Sequence, residues 1–79
     1  MNIFGEKLME KYAVGDMVSW IPIGYPKEFG LIKRIFTEEL ENEPERKFAF
    51  AEIITSTGKH HELHLDALEL ESKRISKQK

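Results

Sequence analysis

Apolar positions recur along this chain in two rhythms, and the change between them marks where a helix gives way to strands. Phe4, Leu8 and Tyr12 stand four residues apart with Met9 beside Leu8, which predicts a short amphipathic helix within residues 1–12. Isolated helices below about 12 residues are marginal in water, so this one is expected to lie across an end of the structure that follows. From residue 13 the pattern shortens to strand rhythm, predicting strands over residues 13–21, 28–37, 46–55, 59–65 and 68–70. The Val14-Gly15-Asp16 turn opens the first strand. Pro22, Gly24 and Pro26 separate the first two, because proline donates no ladder hydrogen bond and glycine admits a positive φ. Ser56-Thr57-Gly58 reads as a tight hairpin turn, and Asp66-Ala67 turns the chain into the short last strand. Residues 38–45 carry Glu38, Glu39, Glu41, Glu43 and Glu45 with Asn42 and Pro44; they read as a charged connection, or as the end of a protruding hairpin.

The second and third strands are apolar on both faces. Phe29, Leu31 and Ile35 share one parity and Ile32 and Phe36 the other; Phe48, Phe50 and Ile54 oppose Ala49, Ala51 and Ile53. A strand with one face in water alternates apolar with polar. The outer faces therefore call for covers, the helix for one and a neighbouring copy of the chain for the other; the alternative is that bent strands cross between layers and bury both faces within one chain. The fold expected is mainly β, with an N-terminal helix (1–12), a five-stranded, strongly bent antiparallel barrel (13–71) and a basic, loosely ordered tail (72–79), assembled as a homo-oligomer.

Composition narrows the means of stabilisation. The chain has 79 residues, 41% apolar and 33% charged, an ordinary globular balance for one domain. A domain so small buries only about 60% of its unfolded surface. With no cysteine, disulfides and thiolate zinc sites drop out. No apolar run approaches the ~18 residues of a membrane span, and the N-terminal residues lack the basic and apolar regions of a secretory signal. A cytoplasmic location with no membrane partner is expected. The net charge of −2 gives no bulk attraction to phosphate, although Lys73, Arg74, Lys77 and Lys79 make the tail basic.

Candidate chemistry is sparse. His60, Glu62 and His64 share one strand face, yet at about 3.3 Å per residue the two histidines lie about 13 Å apart, too far to chelate one ion. His61 shares the parity of Leu63 and Leu65 and is expected to be half-buried. Trp20, Tyr25 and Phe29 gather around the first loop, where aromatics stack bases or grip a proline-rich peptide; Tyr25, between Gly24 and Pro26, is the one expected to be exposed. Lys33 and Arg34 sit mid-strand on opposite faces. No nucleophile elbow, phosphate-cradling glycine loop or His-Glu-x-x-His pair is present, so neither catalysis nor a cofactor is expected.

The helix, the Val14-Gly15-Asp16 start, the Gly30-Leu31-Ile32 second strand, the Gly58 hairpin and the short Leu68-Glu69-Leu70 strand together resemble the SH3-like small barrels, KOW and Tudor modules included. The leading helix and outer apolar surface resemble more closely the Sm-like branch, including small Sm-like proteins encoded by marine phages of cyanobacteria, over residues 12–71. The resemblance implies rings that bind RNA around a pore, and a host cytoplasm if the chain is phage-encoded. The Sm signature of an Asp and an Asn after the second-strand glycine is absent: Lys33, Arg34 and Thr37 follow Gly30, so no ligand position carries over. The expected function is binding of single-stranded RNA or DNA, with Tyr25, Lys33, Arg34, Lys59, His60 and His64 as contacts. The alternative is a protein-interaction or assembly adaptor of phage origin, using Trp20, Tyr25 and the loop between Pro22 and Pro26.

Overall fold

The computed structural model of the chain describes residues 2–4 and 6–73. In chain order it forms β1 (Asn2–Phe4), α1 (Glu6–Lys11), β2 (Met17–Trp20), β3 (Glu28–Leu40), β4 (Glu43–Ile54), β5 (His60–His64), a 3-10 turn (Leu65–Ala67) and β6 (Glu69–Ser72). Strands β2 to β6 make one antiparallel sheet in the order β5-β4-β3-β2-β6. The short β1 adds parallel to β4 at Arg46–Phe48, on the edge that β5 occupies further along.

The sheet does not close into the expected barrel. β5 and β6 lie at opposite ends of the strand order and no ladder joins them among the described residues. The 3-10 turn carries the chain between these edges, and Leu65 within it and Leu68 just after it are buried with Val18 of β2 and Ala51 of β4. Apolar packing rather than hydrogen bonding thus ties the two ends together.

Alternation along β3 and β4 decides which side chains enter the core. Val18, Trp20, Ile32, Ala49, Ala51 and Ile53 are buried on the inner face. Lys33 is the extra residue between the pairs Ile32↔Ile53 and Arg34↔Glu52, a bulge that turns Arg34 and Phe36 outward while Ile35 keeps the inner parity. Gly30 lies opposite Val18 under the ring of Trp20. A Cβ there would fall on Ile53 Cγ2 and lie 2.9 Å from the Ile54 carbonyl oxygen and 3.3 Å from Trp20 Cη2, so only glycine lets the indole pack this closely. Leu8 and Met9 of α1 pack on the same core, and Tyr12, just beyond the helix, is buried with its hydroxyl donating to the Leu68 carbonyl at 2.9 Å.

The Gly-Asp start is a clasp as well as a turn. Gly15 has φ +98°, and the wholly buried Asp16 accepts the Ala13 N–H at 2.9 Å and the Lys73 ammonium at 3.0 Å. Lys73 also donates to the Lys11 carbonyl. The expected loose tail from residue 72 is corrected at its first two positions: Ser72 ends β6 and Lys73 is held at Asp16. Arg74, Lys77 and Lys79 lie outside the described residues.

Two other boundaries shift. The expected helix is six residues, Glu6–Lys11, and Asn2–Phe4 is a strand, since a ladder with β4 offers these residues more than an extra turn of a helix too short to sustain itself. Residues 38–45 are the end of a long hairpin: β3 and β4 run 13 and 12 residues, paired out to Glu39↔Lys47 and Leu40↔Glu43. The Glu39 and Lys47 side chains stand 3.9 Å apart, so the acidic stretch is met by a cation across the ladder.

Candidate interaction surface

The loop between β2 and β3 builds a groove. Pro22 accepts the Tyr25 N–H through its carbonyl at 3.1 Å and Gly24 takes φ +81°, which folds residues 22–25 into a turn. That turn leaves three large apolar side chains in water: Ile21 is 69% exposed, Ile23 97% and Tyr25 68%. With Pro22 they border a groove of about 590 Å³ whose other walls are Trp20, Glu28, Lys59, His61, Leu63 and Ala67. Trp20 and His61 meet there with ring centroids 5.3 Å apart.

His61 is half-buried on the inner side of β5, as its parity with Leu63 implies. Its Nε2 is buried without a hydrogen-bond partner among the described residues, and the Glu28 carboxylate stops 3.9 Å short of it. Lys59, two residues before His61 and also lining the groove, makes no side-chain ion pair or hydrogen bond among the described residues.

The outer face of β3, β4 and β5 carries a different arrangement. Register places Phe36, Phe50 and His64 in one row and Arg34, Glu52 and Glu62 in the next. Phe36 and Phe50 lie near-parallel at 5.8 Å, His64 approaches Phe50 to 4.3 Å and Phe48 edge-on to 5.2 Å, and the Arg34 guanidinium sits 4.2 Å above Phe36. The charges beside this row are already matched. Arg34 Nε donates to Glu52 at 2.9 Å and reaches Glu62 at 3.9 Å, while His60 Nδ1 lies 3.0 Å from the other Glu52 oxygen. The hydrogen bond from Arg34, and then that from His60, hold the Glu52 carboxyl below its usual range.

A second apolar surface lies on the outer side of β2 and β3. Met17, Leu31 and Ile54 are register partners in one row, with Phe29 beside them, around a shallow hollow of about 280 Å³. Phe29 and Leu31 are 48% and 44% exposed. At its margin the Ser19 hydroxyl donates to Glu71 at 2.6 Å, and Lys27 stands 3.6 Å from the same carboxylate; the hydroxyl is the main reason the Glu71 carboxyl titrates below its usual range.

The six residues expected to contact nucleic acid do not form one site. Tyr25 and Lys59 share the groove, Arg34, His60 and His64 share the outer face, and Lys33 stands exposed at the bulge, reaching Glu52 only through its field. Ile21, Ile23 and His61 in the groove and the Phe36–Phe50 pair on the face were not among the expected contacts. Alternation marks Phe36 and Phe50 as sharing a face only once the bulge at Lys33 is known. Among the described residues no three His or acidic side chains come together as metal ligands, and no helix is long and apolar enough to cross a membrane. Compared with known proteins, the chain matches no family model, no curated protein and no solved structure.

Proposed function

We propose that this protein is a non-catalytic interaction module that takes a segment of another protein into the groove beneath residues 21–25. The observation that carries the proposal is the exposure of Ile21, Ile23 and Tyr25 around a groove floored by Trp20. A small domain does not leave a cluster of large apolar side chains in water without a partner surface to offset the cost. Among the described residues Lys27, Arg34, Lys47 and Lys73 are each within 4 Å of a carboxylate, which lessens their attraction for phosphate. In its finer form the proposal takes the sheet as an SH3-like or Sm-like one. Supporting that are the β5-β4-β3-β2-β6 order, the 3-10 turn before the last strand and the return of β6 to β2.

The test is affinity capture with nuclease treatment, comparing the native chain with an Ile23→Asp/Tyr25→Ala variant. Partners that survive nuclease on the native chain and are lost from the variant are the expected result. Partners lost to nuclease alone would contradict it.

A second reading rests on the row of Arg34, Phe36, Phe50 and His64. Aromatic side chains on an open sheet face stack single-stranded bases at about 1–3 kcal/mol each. On this reading the bound strand gains little from its phosphates, because Glu52 and Glu62 neutralise Arg34. The expected signature is weak binding of an oligonucleotide with a shallow salt dependence, abolished by Phe50→Ala.

A further inference from the structure

Resting on the reading of the groove as a protein-binding site, we infer the chemistry of its occupant: an extended segment that places an aliphatic or proline side chain next to a carboxylate. The walls set the apolar half. Ile21, Pro22, Ile23 and Tyr25 on one side and Leu63 and Ala67 on the other leave a channel over the Trp20 and His61 rings. Proline-rich and other extended chains fit such aromatic-floored grooves because their backbone is already straight and loses little entropy on docking.

The polar half follows from the rim. Among the described residues Lys59 is the rim cation with no carboxylate beside it, whereas the other charged lining residue, Glu28, faces His61. The complement to that rim is a negative charge on the ligand. A nucleic-acid strand is the weaker match, since one lysine would have to hold its phosphates against Glu28.

Trp20 is the single tryptophan of the chain and lines the groove, so its emission reports occupancy directly. Three peptides sharing one aliphatic-proline core, flanked by Glu, Gln or Lys, are titrated into the full chain while Trp20 emission is followed. The Glu peptide is expected to bind about fivefold more tightly than the Lys peptide at low salt, the scale of a solvent-exposed ion pair. In Lys59→Glu the order should reverse.

Binding with no charge order, or an order unchanged in Lys59→Glu, overturns the inference and leaves the groove as a protein site. If no peptide moves Trp20 while an oligonucleotide does, both the inference and the reading beneath it fall.

Discussion

Gly30 is the position where one missing methyl group sets the packing of the whole inner face. Trp20, Ile53 and the Ile54 carbonyl close over its α-carbon, so Gly30→Ala is expected to lower stability by about 1–3 kcal/mol in urea unfolding, the usual cost of overpacking. The glycine was visible in the sequence as a feature of the second strand. Its reason was not, because the clash depends on the register that sets Gly30 opposite Val18. Tyr12 shows the same division. Its place on an apolar helical spacing was legible, but its bond to the Leu68 carbonyl joins residues 56 positions apart. Burial first, then the nearby carboxylates of Glu69 and Asp16, push the Tyr12 phenol above its ordinary value of 10.0. The fold favours the protonated phenol, so this contribution is complete below pH 10 and is lost as pH rises through the raised value. Tyr12→Phe should cost about 1 kcal/mol at neutral pH and flatten the alkaline limb of a stability profile followed by circular dichroism.

At the level of elements, the loop between β2 and β3 separates function from stability. Ile23 is almost wholly exposed and belongs to no described core contact. Ile23→Asp should therefore leave the thermal midpoint nearly unchanged, within about 0.5 kcal/mol of stability, while weakening partner capture. A large fall in the midpoint would show that the loop packs as structure. Pro22, Gly24 and Pro26 announced this loop in the sequence, and Tyr25 was read correctly as exposed. The groove itself was not legible, because Lys59 and His61 reach it from the start of β5, more than 30 residues away. The β3–β4 hairpin was underestimated for a related reason: a run of glutamates reads as solvated chain until Lys47 is set across from Glu39.

Across the whole molecule, the apolar pattern on both faces of β3 and β4 was the main sequence signal. It called for covers on both outer faces; instead α1 packs on the inner core, Phe29 and Leu31 stay exposed, and the bulge at Lys33 moves Phe36 to their side and Ile35 to the inner one. The closed barrel did not follow from it, because closure depends on how the last two strands meet rather than on alternation. The homo-oligomer expected from the sequence would need an outer apolar surface, of which the Met17, Leu31 and Ile54 row is one. If it serves that role, light scattering should give a mass above that of a monomer for the native chain and a monomer for Leu31→Glu. Acid sensitivity is expected from Glu52 and Glu71, both held below their ordinary range. A depressed carboxylate stabilises the fold above its unfolded value, and the contribution is lost as pH falls through the folded one. Arg34→Gln removes the largest cause at Glu52, so the acid limb of unfolding should move to higher pH.

What occupies the groove separates a peptide-binding module from a nucleic-acid-binding one. Residue-resolved NMR of the full chain, titrated with an acid-bearing aliphatic-proline peptide and separately with a single-stranded oligonucleotide, reads that in one measurement. Peptide-dependent shifts at the Trp20 indole, Ile23, Lys59 and His61, with the oligonucleotide leaving those signals in place, are the result expected. Oligonucleotide-dependent shifts at Arg34, Phe36 and Phe50, with a groove unmoved by peptide, would contradict it.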